Sequence, residues 1–106
     1  MVSDALENNV RQFIEKELPV VTTLFLKKVV IGDDEPLQEL HEWDDVGDMA
    51  EAYFTYFDVK PDKFSLQNYY PWKTSFFQRK KHNLDKSPLT IRMFIESARA
   101  GRWLYD

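Results

Sequence analysis

A chain of 106 residues, 43% hydrophobic and 15% aromatic, has the material for one packed domain, which excludes a chain that stays disordered. It holds no cysteine, so disulfides, thiolate metal sites and cysteine nucleophiles are excluded as well. The net charge of -4 hides a split, because residues 1–71 hold 15 Asp and Glu against 6 Lys and Arg (net -9) while residues 72–106 hold 3 against 8 (net +5). An acidic body with a basic end suits partners of either sign, and equally suits pairing with a second copy as a homodimer.

Met1 to Ala5 has neither a basic region nor a long apolar run, so no secretory signal is expected, and no stretch is apolar for long enough to predict a membrane span. Asp4 and Glu7 stand at capping-box spacing, and Leu6, Val10, Phe13, Ile14 and Leu18 mark one helical face. The prediction is a helix over 4–17, ended by Pro19, which pushes the residue before it out of helical geometry. Across 20–31 the β-branched residues Val20, Val21, Thr22, Thr23, Val29, Val30 and Ile31 favour extended backbone over the helical turn that Leu24 to Lys28 would allow. A short two-stranded β element pairing 20–31 with 72–77 is therefore expected.

Gly32-Asp33-Asp34-Glu35-Pro36 is a turn cluster, with Pro36 in the first turn of a short helix through Leu37, Leu40 and His41. The carboxylates at 33, 34 and 35 lack the ligand order and loop glycine of a calcium loop, so a solvated turn is expected. His41 and Asp45 share a face if one helix covers both, but two ligands do not make a zinc site, and the other histidine, His82, stands in a basic run. No Ser-His-Asp arrangement is visible, and three separated glycines make no phosphate loop. The expectation is no metal, no cofactor and no enzymatic site.

Residues 42–59 carry the most information. Asp44 or Asp45 is the expected N-cap of a helix, with Asp48 and Glu51 in or near its first turns, where negative charge is favoured. Val46, Met49, Ala50, Tyr53, Phe54 and Phe57 follow at spacings of three and four, one buried face. Capping plus solvation explains the acidic cluster; the competing reading is a docking face.

Lys60-Pro61-Asp62 is a turn, and Phe64, Leu66, Tyr69 and Tyr70 form a short apolar set closed by Pro71. Arg79-Lys80-Lys81-His82 beside Trp72, Phe76 and Phe77 has the ingredients of a single-strand nucleic-acid surface, but within an acidic protein a solvated loop tied to the domain's own acidic face is the better expectation. The last helix is the best marked: Thr90 caps it, Leu89 and Phe94 make a hydrophobic staple, and Gly101 ends it. Ile91, Phe94, Ile95 and Ala98 face the core, Arg92 pairs with Glu96, and Arg99 and Arg102 suit the carboxyl end. Trp103 and Leu104 are expected to fold back over the helix end, with Trp103 as a core plug in preference to an exposed anchor for a partner.

The acidic turn, the amphipathic helix and the closing Phe57-Asp58-Val59 resemble the second helix of acyl carrier proteins, which begins Asp-Ser-Leu and ends Phe-Asp-Ile. In that alignment Glu42 takes the place of the family's Asp, and Trp43 that of the serine that carries phosphopantetheine. A closer resemblance is to a family of small bacterial proteins of unknown function, acyl-carrier-like in character, that reads Gly-Asp-Asp-Ala where this chain has Trp43-Asp44-Asp45-Val46. Asn68-Tyr69-Tyr70-Pro71, Pro88-Leu89-Thr90-Ile91 and Ala98 through Trp103 are similar to its later motifs, and the likeness spans roughly residues 40 to 103.

The fold that follows is mainly α, a single acyl-carrier-like helical domain over 1–106. The resemblance implies a cytosolic protein-binding or adaptor domain that meets a protein partner through Glu42, Trp43, Asp44, Asp45 and Asp48, with Trp43 projecting into solvent. One alternative is a carrier modified at Ser65 or Ser87; another is an inhibitor or immunity protein with an acidic blocking face.

Overall fold

The computed structural model describes residues 2–19, 31–72 and 86–105 of the chain. Among the described residues three helices, α1 (Val2–Glu17), α2 (Trp43–Tyr56) and α3 (Ile91–Ala100), and two single 3-10 turns, Leu37–Glu39 and Leu66–Asn68, make a small, mainly α domain. Among the described residues there is no strand; a lone parallel bridge joins Lys60 to Arg102. The expected β pair of 20–31 with 72–77 and the basic run 79–82 fall outside the described residues, apart from Ile31 and Trp72.

α1 begins two residues before the expected start, so Asp4 lies inside its first turn and is not its cap. An acid there still stands at the positive end of the helix dipole, which is why cap and first turn are hard to tell apart in sequence. The helix stops as expected: the Leu18 amide closes on the Ile14 carbonyl at 3.0 Å, and Pro19 has no N–H to continue. Val10, Ile14 and Leu18 are buried, flanked by Leu6 and Phe13.

Pro36, with ψ of 125°, precedes the first 3-10 turn and does not lie within it, and the expected short helix through His41 is reduced to that single turn. The reason is tertiary, because the Leu37 amide bonds the Leu89 carbonyl at 2.8 Å and Leu37 is fully buried. The next residue, Gln38, is a polar side chain in the core. Its Nε2 donates to the Ser87 carbonyl at 2.7 Å, its Oε1 accepts from the Leu89 amide at 2.8 Å, and the Tyr69 carbonyl lies 3.4 Å from Nε2.

The cap of α2 also differs from expectation. Glu42 occupies the N-cap without a side-chain hydrogen bond, and Asp44 and Asp45 stand in the first turn, where the Asp44 Oδ1 accepts from the Asp45 amide at 2.9 Å. The expected buried face holds: Val46, Met49, Ala50 and Tyr53 are buried, with Phe54 and Phe57 half-buried at its edge. Tyr53 reaches across to α3, its hydroxyl donating to the Phe94 carbonyl at 2.7 Å. Asp58 then takes the left-handed conformation (φ 54°) that aspartate tolerates better than most residues, and turns the chain out of the helix.

α3 forms as its local signals require. The Thr90 Oγ1 accepts from the Met93 amide at 3.3 Å, Leu89 and Phe94 are both fully buried, and Gly101 at φ 81° returns its amide to the Ser97 carbonyl at 2.8 Å. Trp103 is the plug: its ring lies 5.0 Å from those of Phe64 and Phe94 and 6.0 Å from that of Phe54. Its backbone is pinned too, the Trp103 amide donating to the Lys60 carbonyl at 2.8 Å. Leu104, expected to fold over the helix end as well, is half exposed, since after a buried Trp103 the next side chain turns outward. Arg92 does not take Glu96 as its partner; its guanidinium grips Asp34 with two contacts of 2.6 and 3.0 Å.

Candidate functional site

Two acidic groups draw attention, and they have different roles. In the turn at 32–36, Asp33 receives a two-pronged grip from Arg11 of α1 (2.9 and 2.6 Å), and Asp34 receives the same from Arg92 of α3. The Arg11 hydrogen bond holds the Asp33 carboxyl below its ordinary range, and the Arg92 hydrogen bond does the same for Asp34. The turn is thus an electrostatic tie between α1 and α3. Among the described residues no group of three His, Asp or Glu is arranged to hold a metal ion.

The second group opens α2. Glu42, Trp43, Asp44 and Asp48 are exposed and Asp45 is half-buried, so the five residues named from the sequence all stand in the first two turns of α2 or at its cap. None of the four carboxylates is in an ion pair among the described residues. Trp43 is 61% exposed, as expected. Behind it lies a shallow groove of ≈ 210 Å³ whose lining includes His41, Trp43, Tyr70 and Trp72. Trp72 is anchored there, its Nε1 donating to the Glu39 carboxylate at 2.8 Å. Burial, with help from the charges of Glu42, Asp44 and Asp45, raises the Tyr70 hydroxyl pKa, which keeps it a donor to the His41 carbonyl at 2.8 Å.

His41 precedes α2 instead of sharing it with Asp45. Burial lowers its pKa below 6.5, and the attraction of Asp45 only partly offsets this. Both His41 and Asp33 have folded pKa values below their unfolded ones, so each contributes stability above its ordinary pKa that is lost as pH falls. Melting temperature should therefore decline below pH 6.5 as His41 is forced to charge, and again below pH 3.8 as Asp33 loses its ion pair. Thermal melts across pH should show the upper decline flattened in His41→Gln and the lower one flattened in Asp33→Asn.

Neither candidate serine opens an α-helix. Ser65 caps the second 3-10 turn, its hydroxyl accepting from the Gln67 amide at 3.3 Å, and Ser87 is exposed in the segment before α3. Sequence reasoning missed a further depression between α1 and α2, lined by Phe13 and Glu17 from one helix and by Asp48, Glu51, Ala52 and Tyr56 from the other. One signal was present: Asp44, Asp48, Ala52 and Tyr56 are four residues apart, so the acidic opening continues along α2 as a single ridge.

No curated protein and no solved structure matches the chain. The family model described as "Protein of unknown function (DUF1493)" matches residues 3–106, a span that takes in all three helices and the whole opening of α2, and the chain belongs to that family.

Proposed function

We propose that this is a non-enzymatic, cytosolic protein-binding domain that docks a partner on the opening of α2 through Glu42, Trp43, Asp44, Asp45 and Asp48. The observation that carries the reading is Trp43. A tryptophan 61% exposed at the first residue of a helix contributes little to the core. An aromatic that is buried only on association is the kind of residue that dominates binding energy at interfaces. The carboxylates around it, unpaired among the described residues, supply steering and specificity toward a basic partner. Of the four, Asp44 alone makes a side-chain hydrogen bond at the helix opening, to the Asp45 amide, so capping leaves Glu42, Asp45 and Asp48 unaccounted for. The acyl-carrier resemblance supports the same surface, because carriers meet their partner enzymes there.

Affinity capture with the tagged chain tests this. Trp43→Ala, Asp44→Lys and Asp48→Lys should each abolish capture of the wild-type partner. Trp43→Ala and Asp48→Lys should shift stability by no more than about 0.5 kcal/mol, as expected for exposed positions. Asp44→Lys loses its bond to the Asp45 amide and should cost about 1 to 2 kcal/mol without unfolding the domain. Unchanged capture per folded molecule, or unfolding by Asp44→Lys, would make the cluster a structural helix opening and remove the docking site. A gain of one pantetheine arm in intact mass, after incubation with a promiscuous phosphopantetheinyl transferase and coenzyme A, would replace the reading with a carrier.

A further inference from the structure

The groove between α1 and α2 has a built platform. Tyr56 is 71% exposed, yet its ring is held in place, stacked on Phe13 at 5.0 Å and 21° and buttressed edge-on by Phe57 at 4.9 Å. One ring face is stacked on Phe13, and at 71% exposure most of the rest of the ring is accessible. The same groove, an open space of ≈ 560 Å³, is lined by the carboxylate residues Glu17, Asp48 and Glu51, while Lys16 lines only the adjoining depression on the far side of Phe13, Glu17 and Tyr56. None of the three carboxylates is ion-paired among the described residues. From Asp48 to Tyr56 the groove runs about 12 Å along α2, the length of roughly two turns of a second helix.

An exposed aromatic ring with carboxylates beside it is complementary to one side chain above others. A guanidinium is planar, stacks on an aromatic ring and donates several hydrogen bonds at once, while lysine offers only a compact, strongly hydrated charge. Phosphate-bearing partners are repelled by three carboxylates, which argues against nucleic acid or an anionic membrane here. A purely apolar segment would strip water from those carboxylates without compensation.

We infer that the α1/α2 groove binds a basic peptide segment of a protein partner and seats an arginine of that segment against the exposed ring of Tyr56, beside Glu17, Asp48 and Glu51. This rests on the docking reading above and deepens it, because the ridge Asp44-Asp48-Ala52-Tyr56 makes the helix opening and the groove one continuous surface. The opening meets the partner first through long-range charge and Trp43, and the groove fixes its register through one stacked arginine.

The test is a titration of the labelled full chain, followed by amide chemical shifts, with three short synthetic helical peptides that differ only in carrying arginine, lysine or glutamate at four-residue spacing. The arginine peptide should perturb the amides of Phe13, Glu17, Glu51 and Tyr56, and should bind roughly tenfold more tightly than the lysine peptide, as stacking requires. The glutamate peptide should not bind. Tyr56→Ala and the pair Glu17→Lys with Glu51→Lys should each weaken the arginine peptide by roughly tenfold or more, and Tyr56→Phe should restore binding. Glu15→Lys, exposed on α1 and not lining the groove, should change it less than about twofold, as a remote screened charge does.

Equal effects of Glu15 and Glu51 would reduce the binding to net charge and overturn the inference. So would a dimer in sedimentation that Glu51→Lys dissolves, since the occupant would then be a second copy. Amide shifts of Phe13, Glu17, Glu51 and Tyr56 that move together, with no peptide present, when Arg79, Lys80 and Lys81 are changed to glutamine would also overturn it, because the chain's own basic run would then be the occupant. Trp43→Ala and Asp44→Lys lie outside the groove, so their effect on partner capture reports on the helix opening alone. A failed groove and a failed docking face are therefore distinguishable.

Discussion

Trp103→Ala should destabilise the domain by about 3 to 5 kcal/mol, the range for truncating a large buried aromatic. A domain of this size has about 5 to 15 kcal/mol in total, so the variant should be near or past the edge of folding, with a melting point lower by some ~15 °C or more. The ring is 2% exposed and is surrounded by Phe54, Phe64, Phe94 and Tyr105, which come from α2, the loop after it, α3 and the chain end. Removing it leaves a cavity where these segments meet. The indole Nε1 is buried without a hydrogen-bond partner among the described residues. Trp103→Phe should accordingly cost less than half as much, because the lost volume is partly offset by deleting an unsatisfied donor. Urea unfolding of the two variants measures both numbers, and an alanine variant within about 1 kcal/mol of wild type would mean that the plug is dispensable.

Gln38→Leu should be nearly as damaging, although it exchanges a polar core residue for an apolar one of similar size. The substitution leaves the Leu89 amide and the Ser87 carbonyl without their partner, and an unsatisfied buried group costs about 1 to 3 kcal/mol. A loss of about 2 to 5 kcal/mol in urea unfolding is expected. Gln38→Glu separates the two bonds. Its carboxylate still accepts from Leu89 but sets a negative oxygen against the Ser87 carbonyl, so that variant should recover stability as pH is lowered and the carboxyl acquires a proton. A variant equally unstable at every pH would place the loss in packing and not in that contact.

What was legible in the sequence was local. Thr90, Leu89, Phe94 and Gly101 announce α3 because a cap, a staple and a left-handed terminus act within one turn of the residues that carry them. The buried face of α2 was readable from spacing alone, but its cap was not. Asp44 and Asp45 are better capping residues than Glu42, yet they remain within the first turn, where the dipole favours them nearly as well. Arg92 was expected to pair with Glu96 four residues on, and instead crosses 58 positions to Asp34, a contact that no periodicity encodes. Gln38 carries no local signal of burial, and only the arrival of Ser87 and Leu89 makes it a core tie. The five residues of the α2 opening could be named because they are consecutive or nearly so. The groove could not, because Phe13 and Glu17 meet Glu51 and Tyr56 only once α1 and α2 have packed.

The pairing of α1 with α3 has a consequence for how fast this chain reaches its native state. Among the described helices, α1 packs mainly on α3 and touches α2, the next described helix, less. A bundle of sequential helices can nucleate on a hairpin of adjacent elements, but here the largest helix contact closes a loop of more than seventy residues. Each doubling of such a loop adds only about 0.6 kcal/mol of closure entropy, so the equilibrium is little affected. The rate bears more of it, since that entropy must be surrendered before the contact returns anything. A helical domain wired in this way should fold more like a mixed or β protein of its length than like a hairpin-by-hairpin bundle.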